Sequence, residues 1–322
     1  MFNIIFRLLS VVLRIHQINK VLKLIFSCII VALLFTSPFS NTREPQSDDY
    51  IYYSSEGFSN GSQGRDIIRM NPDGSSKTKL TNNNGGNHYP HHINPKLSPD
   101  GNKIVYQSDT DRHDKYAIWV MNSDGTNKKR ITEKEGMYPN WSADGKQIVF
   151  SGRRNGIWEI ILIPSAGGEE INLSKNFKNN KRPGWGATCT FHPNGKTLVY
   201  SYIREKVLYS MDLNTKQVTV LTNPKYRYIH PIFSKDGSTI TANRKIDNSG
   251  YDLVTMNLNG TNEQIVAKNV VSYSSPAWSK NGNELAFSGV VNGNQQIFRI
   301  NIKTKKEMTL TNKPFFNAMP TW

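Results

Sequence analysis

The stretch Pro139-Asn-Trp-Ser-Ala-Asp-Gly-Lys-Gln-Ile-Val-Phe150 predicts two short strands joined by a tight turn. Ser142 and Asp144 suit the turn because their side chains can bind nearby backbone amides, and Gly145 accepts a positive φ without steric cost. The β-branched and aromatic run that ends at Phe150 fits a buried, pleated strand. Copies of this stretch recur along the chain, at residues 95–101, 190–195, 231–237, 276–282 and, cut short, 320–322.

The spacing of these copies predicts the architecture. Neighbouring copies lie about 42 to 50 residues apart, measured between the large residues before each turn. These markers are Leu97, Trp141, Phe191, Phe233, Trp278 and Trp322. A period of about 40 to 45 residues with four strands per repeat is typical of a propeller blade. Since most repeats also hold a third strand and a fourth that ends in Leu-Thr or Ile-Thr, we predict an all-β, six-bladed β-propeller of four-stranded blades.

The two ends of this pattern complement each other. Residues 50–81 provide the second, third and fourth strands of a blade that lacks its first, and residues 320–322 provide a first strand without a blade. Pairing them would complete the sixth blade and remove an open sheet edge. We therefore expect the C-terminal strand to join the N-terminal blade, with the propeller spanning residues 50–322 and a polar linker at residues 42–49.

Residues 1–41 are typical of an export signal. They contain Arg7, Arg14, Lys20 and Lys23 but no acid, and an uncharged, largely apolar run follows at residues 24–37. Basic residues before a short apolar stretch indicate a secretory signal, and the run is shorter than the roughly 20 residues that a membrane span needs. We expect a signal peptide, or a signal anchor if the segment is not cleaved, and a protein in the periplasm or at the cell surface.

The repeated Pro-x-Trp-Ser-x-Asp-Gly hairpin and the Leu-Thr strand end together resemble the WD40-like PD40 repeats of TolB-like six-bladed propellers. The resemblance covers about residues 50 to 322 and is specific for architecture, not for function. It implies a relationship to periplasmic TolB, to the propellers of prolyl oligopeptidases and to some polysaccharide lyases. In TolB an α/β domain precedes the propeller, and here the propeller is expected to follow the signal almost directly, so the resemblance leaves membership of a Tol system open.

The long loops are the predicted binding region, because rigid scaffolds carry their binding residues on loops. The chain has a formal net charge of +15, and the four basic residues of the signal leave 15 − 4 = +11 on the rest. A basic, aromatic-rimmed propeller mouth would suit an acidic protein segment or an anionic envelope polysaccharide. Alternatively, the basic residues of these loops merely solvate them, and the charge only aids solubility. The candidate ligand-binding residues are His88, His91, His92, Arg153, Arg154, Trp185, Arg227, Tyr228 and His230.

The sequence gives little support for catalysis. It contains no Gly-x-Ser-x-Gly elbow and no phosphate-binding glycine loop, and export argues against nucleic acid as a partner. We predict a non-enzymatic binding scaffold without a cofactor and without catalytic residues. The alternative is a metal-assisted, polysaccharide lyase-like enzyme that would use His88, His91, His92 or His230, since imidazole is a common metal ligand.

Overall fold

The computed structural model describes residues 49–56, 64–82, 89–111, 115–177, 186–202, 206–245, 250–312 and 316–322. The regular elements in these ranges are β-strands, so the predicted all-β class is confirmed. Among the described residues there is no helix with the length and apolar character to cross a membrane. In chain order the strands are β1 (Ile51–Glu56), β2 (Arg65–Met70), β3 (Thr78–Lys79), β4 (His92–Leu97), β5 (Lys103–Ser108), β6 (Ala117–Asn122), β7 (Lys129–Arg130), β8 (Gly136–Trp141), β9 (Gln147–Arg154), β10 (Ile157–Pro164), β11 (Ile171–Asn172), β12 (Thr188–Phe191), β13 (Thr197–Ser201), β14 (Leu208–Asp212), β15 (Val218–Val220), β16 (Arg227–Phe233), β17 (Thr239–Lys245), β18 (Tyr251–Asn257), β19 (Gln264–Val270), β20 (Ala277–Trp278), β21 (Glu284–Val291), β22 (Asn294–Asn301), β23 (Glu307–Thr309) and β24 (Asn317–Thr321).

The strands form antiparallel groups of four, as propeller blades do. We call β4 to β7 sheet B, β8 to β11 sheet C and β12 to β15 sheet D. Strands β16 to β19 (sheet E) and β20 to β23 (sheet F) repeat the same order, and the pair Val270–Gly289 joins them into one eight-stranded sheet. Sheet A has the order β24-β1-β2-β3, with Tyr52 of β1 opposite Thr321 of β24. Sheet A therefore takes strands from both ends of the described chain.

The turn between the first two strands has the same hydrogen bonds in several sheets. In sheet C, the Ser142 hydroxyl donates to Asp144 Oδ1 at 2.6 Å and accepts from the Gln147 backbone N–H at 2.9 Å. Ser98, Ser234 and Ser279 repeat both contacts in sheets B, E and F. The repeated serine and Asp or Asn side chains therefore belong to the turn, because they satisfy backbone donors that the tight turn leaves unpaired.

A second repeated contact fastens the short fourth strand. The hydroxyl two residues beyond this strand accepts a hydrogen bond from a backbone N–H of the third strand, 14 residues earlier, at 2.9–3.0 Å. The hydroxyls are those of Thr81, Thr132, Ser174, Thr222 and Thr311. Because the fourth strands are only two or three residues long in these sheets, the hydroxyl continues the pairing where the backbone ladder stops.

The hydrophobic core lies between consecutive sheets. One buried cluster joins each of the pairs A–B, B–C, C–D, D–E and E–F. A further cluster joins sheet F to sheet A, with Ile51 and Tyr53 against Ala286 and Leu310. Turn glycines add close backbone contacts, since a Cβ on Gly260 of sheet E would lie 2.0 Å from the Leu221 carbonyl oxygen of sheet D. The core is thus divided into clusters that lie between sheets, rather than gathered within any one of them.

Candidate functional site

The first strands of four sheets share a bulge at a residue that precedes proline. This residue has a left-handed backbone, with φ between 53° and 62°, in β4, β8, β16 and β24. The four residues are Asn94, Tyr138, His230 and Met319. The pairing register shifts at the same places. Proline lacks a backbone N–H and is tolerated inside sheets at bulges, and non-glycine residues with positive φ are uncommon and cluster at functional sites.

The bulged residues are held by side chains of the preceding sheet. The Tyr138 N–H donates to Gln107 Oε1 at 2.8 Å, and the His230 N–H donates to Thr188 Oγ1 at 3.1 Å. Met319 N–H likewise donates to the Ser274 hydroxyl at 2.9 Å. Since a bulge takes the N–H out of its own ladder, these side chains supply the partner that the sheet cannot. The first strands are thereby linked to one another.

A narrow cavity lies between the first strands of sheets B, C, D and E. Its volume is about 10 Å³, and its walls come close to β20 of sheet F through Ser275. The lining residues are Asn94, Lys96, Tyr138, Pro139, Asn140, Thr188, Cys189, Pro231 and Ser275. These side chains are mostly polar and include no carboxylate. Burial raises the pKa of the Cys189 thiol, so this residue is a protonated wall group and not a nucleophile.

Lys96 carries the charge of this cavity. Its side chain is partly buried, and burial lowers the pKa of its ammonium group from 10.5 to about 8. No carboxylate of the described residues forms an ion pair with it. The Lys96 backbone is fixed, because its carbonyl oxygen accepts a hydrogen bond from Trp141 Nε1 at 2.8 Å. The cavity therefore has a lysine in its wall to which the described residues supply no counter-charge.

His230 lies beside this ammonium group as a neutral imidazole. The side chain is buried, with Nδ1 3.2 Å from the Ser275 hydroxyl and its ring 5.8 Å from that of Tyr138. Burial, and secondarily the positive charge of Lys96, lowers the pKa of His230 to about 3. The predicted binding residue His230 thus faces the interior with Tyr138, a residue that the sequence analysis did not select.

A second group of basic side chains surrounds the start of β16. Arg227 lies opposite Lys245 in the β16–β17 pairing, and the backbone of Lys206 accepts a hydrogen bond from the Tyr228 N–H at 3.2 Å. Lys225 Nζ lies 5.1 Å from the centre of the Tyr226 ring. We call Lys206, Lys225, Tyr226, Arg227 and Lys245 the β16 rim. In the described ranges no carboxylate forms an ion pair with any of its four cations.

The other predicted binding residues of this region, Arg153, Arg154 and Tyr228, differ in how accessible they are to a ligand. Arg154 makes two hydrogen bonds to the Glu170 carboxylate, at 2.6 and 2.7 Å, so its charge is balanced. Arg153 is exposed and lies 4.0 Å from Glu135. Tyr228 is buried, and burial raises the pKa of its phenol. Among these residues only Arg153 remains accessible for a ligand.

The predicted histidine cluster is divided by its surroundings. His92 is buried edge-on against Tyr106, with Nε2 3.4 Å from the Asn82 carbonyl oxygen, and burial lowers the pKa of its imidazole. The backbone N–H of His91 donates to Asp109 at 2.6 Å. In the part of the chain that the structure describes, no three His, Cys, Asp or Glu side chains meet as a metal-binding group. His88 and Trp185 lie outside the described residues.

Sequence reasoning missed Lys96, Tyr138 and Asn140. The available signal was the proline inside four of the first strands, because proline inside a strand marks an edge or a bulge. Asn94 and Tyr138 stand directly before such prolines, and Lys96 and Asn140 stand directly after them. The recurring proline therefore marks the segments that line the cavity.

The four-stranded sheets, with their shared hairpin and packed faces, define a repeat protein of the β-propeller class. The family model of the TolB beta propeller domain, PD40, matches residues 56–223, which is more than half of the 322-residue chain. The chain belongs to this family.

Comparison with solved structures and curated proteins shows how widely the fold is shared. TolB from Acinetobacter baumannii is 19% identical, with a TM-score of 0.73, over 85% of this chain and 66% of that one. An oligogalacturonate lyase in complex with manganese is 11% identical, with a TM-score of 0.54, over 81% and 73%. Dipeptidyl-peptidase 5 from Porphyromonas endodontalis is 28% identical over 111 residues, which are 33% of this chain but only 15% of the peptidase. At these identities the solved structures define the fold alone.

Proposed function

We propose that the sheets form a closed six-bladed propeller that serves as an exported, non-enzymatic binding scaffold. Closure is supported by the pairing of β24 with β1 and by the buried cluster between sheets F and A. It is also supported by the Lys77 ammonium of sheet A, which lies 3.2 Å from the Leu310 carbonyl oxygen of sheet F. A closed ring leaves no open sheet edge at the ends of the array, so the loops and strand ends are free to serve binding.

The β16 rim is the observation that carries the binding proposal. Four cations with an aromatic ring among them lie at one strand end without carboxylate partners in the described ranges, whereas the nearby Arg244 is bound by Asp252 and Glu263. Unpaired cations raise the local concentration of anionic ligands, and the Tyr226 ring adds contact area. The partner that fits this surface is an acidic protein segment or an anionic polysaccharide of the cell envelope.

Capture experiments with matched variants test this proposal. The immobilised full chain is exposed to polyglutamate, polygalacturonate and a neutral glucan at low and high salt. We expect capture of the two polyanions at low salt, loss at high salt because screening weakens exposed charge interactions, and no capture of the glucan. The double variant Lys225→Ala/Arg227→Ala should lose most of the capture.

The matched control is Lys235→Ala/Lys280→Ala. These lysines are exposed in turns between first and second strands, so the control removes the same charge from another surface. Equal losses in the two double variants, or capture that is insensitive to salt, would count against a binding surface at the β16 rim.

Export and the enzymatic alternative need separate tests. The basic and apolar pattern of residues 1–41 supports a periplasmic or surface location, which cell fractionation would test. The lyase-like alternative has less support, because His92 and His230 pack against different aromatic residues, Tyr106 and Tyr138. Metal analysis of the purified chain decides it: stoichiometric metal that is lost in His92→Ala would favour the enzyme, and its absence the scaffold.

A further inference from the structure

Lys96 lines the cavity between the first strands, and its ammonium group forms no ion pair with a carboxylate of the described residues. A charged group that is removed from bulk water without a counter-charge is costly, and proteins normally supply a partner or neutralise the group. The lining holds no carboxylate, and the nearest titratable neighbours are the neutral His230, Tyr138 and Cys189. The residues that the structure describes therefore supply no counter-charge at this site.

We propose that the cavity binds one small monatomic anion, of the size of chloride, as the counter-ion of Lys96. The site is independent of the β16 rim, since its walls are first-strand residues and not loop cations. Its only charge is positive, which favours an anion over a metal cation. A cavity of about 10 Å³ between four packed strands has room for about one particle of the size of a water molecule or a chloride ion, and none for a folded segment.

Neutral hydrogen-bond donors complete the site. The Asn94 amide donates to Gln107 Oε1 at 3.0 Å, and the Asn140 amide donates to the Cys189 carbonyl oxygen at 3.2 Å. Each amide nitrogen carries a second N–H that these bonds do not use. Hydrogen bonds to an ionised acceptor are about twice as strong as neutral ones, so two amide donors beside an ammonium group form a suitable anion site.

The surrounding structure holds these donors in place. The Asn140 side chain is fixed at both ends, because its Oδ1 also accepts from the Trp141 N–H at 3.0 Å. Gln107, which anchors Asn94, also accepts from the Tyr138 N–H. The donors are therefore positioned before any ion enters, which reduces the entropic cost of binding.

Crystals of the full chain soaked in bromide provide the direct test. We expect an anomalous scattering peak beside Lys96 Nζ in the wild-type protein. A wild-type crystal without a peak in the cavity would overturn the proposal, even if no variant can be purified.

Thermal unfolding in a chloride titration provides the solution test. For the wild-type chain we expect Tm to rise by about 3 °C at a tenfold excess of chloride over its Kd, beyond the salt effect common to all variants. Lys96→Met should lose this increment, whereas the control Lys280→Met, an exposed lysine in a turn, should retain it. An increment that persists in Lys96→Met would refute the site.

Two further readouts separate this site from others. The increment should fade as pH rises through about 8, where Lys96 loses its proton while the nearby His230 is already neutral. Capture of polyglutamate should survive in Lys96→Met if the β16 rim is a separate surface. Loss of the chloride response with retained capture in Lys96→Met would thus support two separate sites. A wild-type chain that shows the chloride response but captures neither polyanion would overturn the proposed function and leave the anion site intact.

Discussion

Replacement of Gly260 by alanine should destabilise the packing between sheets D and E. Gly260 has a φ of +77°, and an added Cβ would lie 2.0 Å from the Leu221 carbonyl oxygen and 2.9 Å from its carbonyl carbon. Both contacts are with backbone, so no side chain can rotate away. Gly282 provides the matched control, because its φ is +71° and no atom lies within 4 Å of the position of its Cβ.

Both substitutions place an alanine on a left-handed backbone, but only Gly260→Ala also creates a steric overlap. A left-handed backbone costs an alanine about 1–2 kcal/mol, and this applies equally at both positions. Overpacking a close contact costs roughly 1–3 kcal/mol more, and it applies only to Gly260→Ala. We therefore expect Gly260→Ala to lower the free energy of unfolding by about 2 kcal/mol more than Gly282→Ala, which is a further drop in Tm of about 4 to 8 °C.

Urea unfolding of the full chain, followed by tryptophan fluorescence and by far-ultraviolet circular dichroism, measures this difference. Coincident transitions by the two probes are needed before the free energies are compared. If the two variants agree within about 0.5 kcal/mol, the contact between the turn of one sheet and the strand end of its neighbour contributes nothing, and the reasoning about inter-sheet packing fails.

Three further predictions concern the cavity and the strand ends. The pKa of Lys96 is about 8 in the folded chain and 10.5 for an ordinary lysine side chain, so the free energy of unfolding should rise as pH increases between these two values. For the same reason, Lys96→Met in chloride-free buffer should be about 1–3 kcal/mol more stable than wild type at pH 7. The pKa of His230 falls from 6.5 to about 3 on folding, so the free energy of unfolding should drop by about 2 kcal/mol as pH is lowered from 7 to 5. Chemical denaturation of His230→Gln over the same pH range should show a smaller drop. The buried Thr311 hydroxyl accepts a hydrogen bond from the Ile297 N–H at 2.9 Å and donates one to Gln296 at 2.6 Å. Calorimetry should therefore show that Thr311→Val lowers the free energy of unfolding by about 1–3 kcal/mol. An equal loss for the exposed Thr309→Val would contradict a special role for this hydroxyl.

The repeated turn explains why the fold could be predicted from sequence. Ser142, Asp144 and Gly145 act within a few residues of one another, so their spacing alone reveals the hairpin. The hydroxyl that follows the fourth strand in five of the sheets acts over a fixed interval of 14 residues, and the Leu-Thr pairs made this visible as well. Local and periodic interactions leave a pattern in a single sequence because the same geometry is met again in each repeat.

The candidate site was harder to predict because its residues come from different repeats. Lys96 and Asn140 reach one cavity only through the packing of sheets B and C, and no spacing in the sequence encodes that approach. Arg154 was selected for its charge, but Glu170 lies 16 residues away in sequence and neutralises it. His92 was selected for its chemistry, but the fold uses it beside Tyr106. Charge and residue type alone do not distinguish an available group from an occupied one.

At the bulge before proline, the side chain differs between sheets while the left-handed backbone stays the same. Equivalent positions hold an amide in Asn94, a phenol in Tyr138, an imidazole in His230 and a thioether in Met319, and all four keep the same backbone conformation. Since these residues have left the strand ladder, the alternation of the strand does not depend on which of them is present. One backbone framework can therefore present an amide, a phenol, an imidazole or a thioether at corresponding points of its repeats.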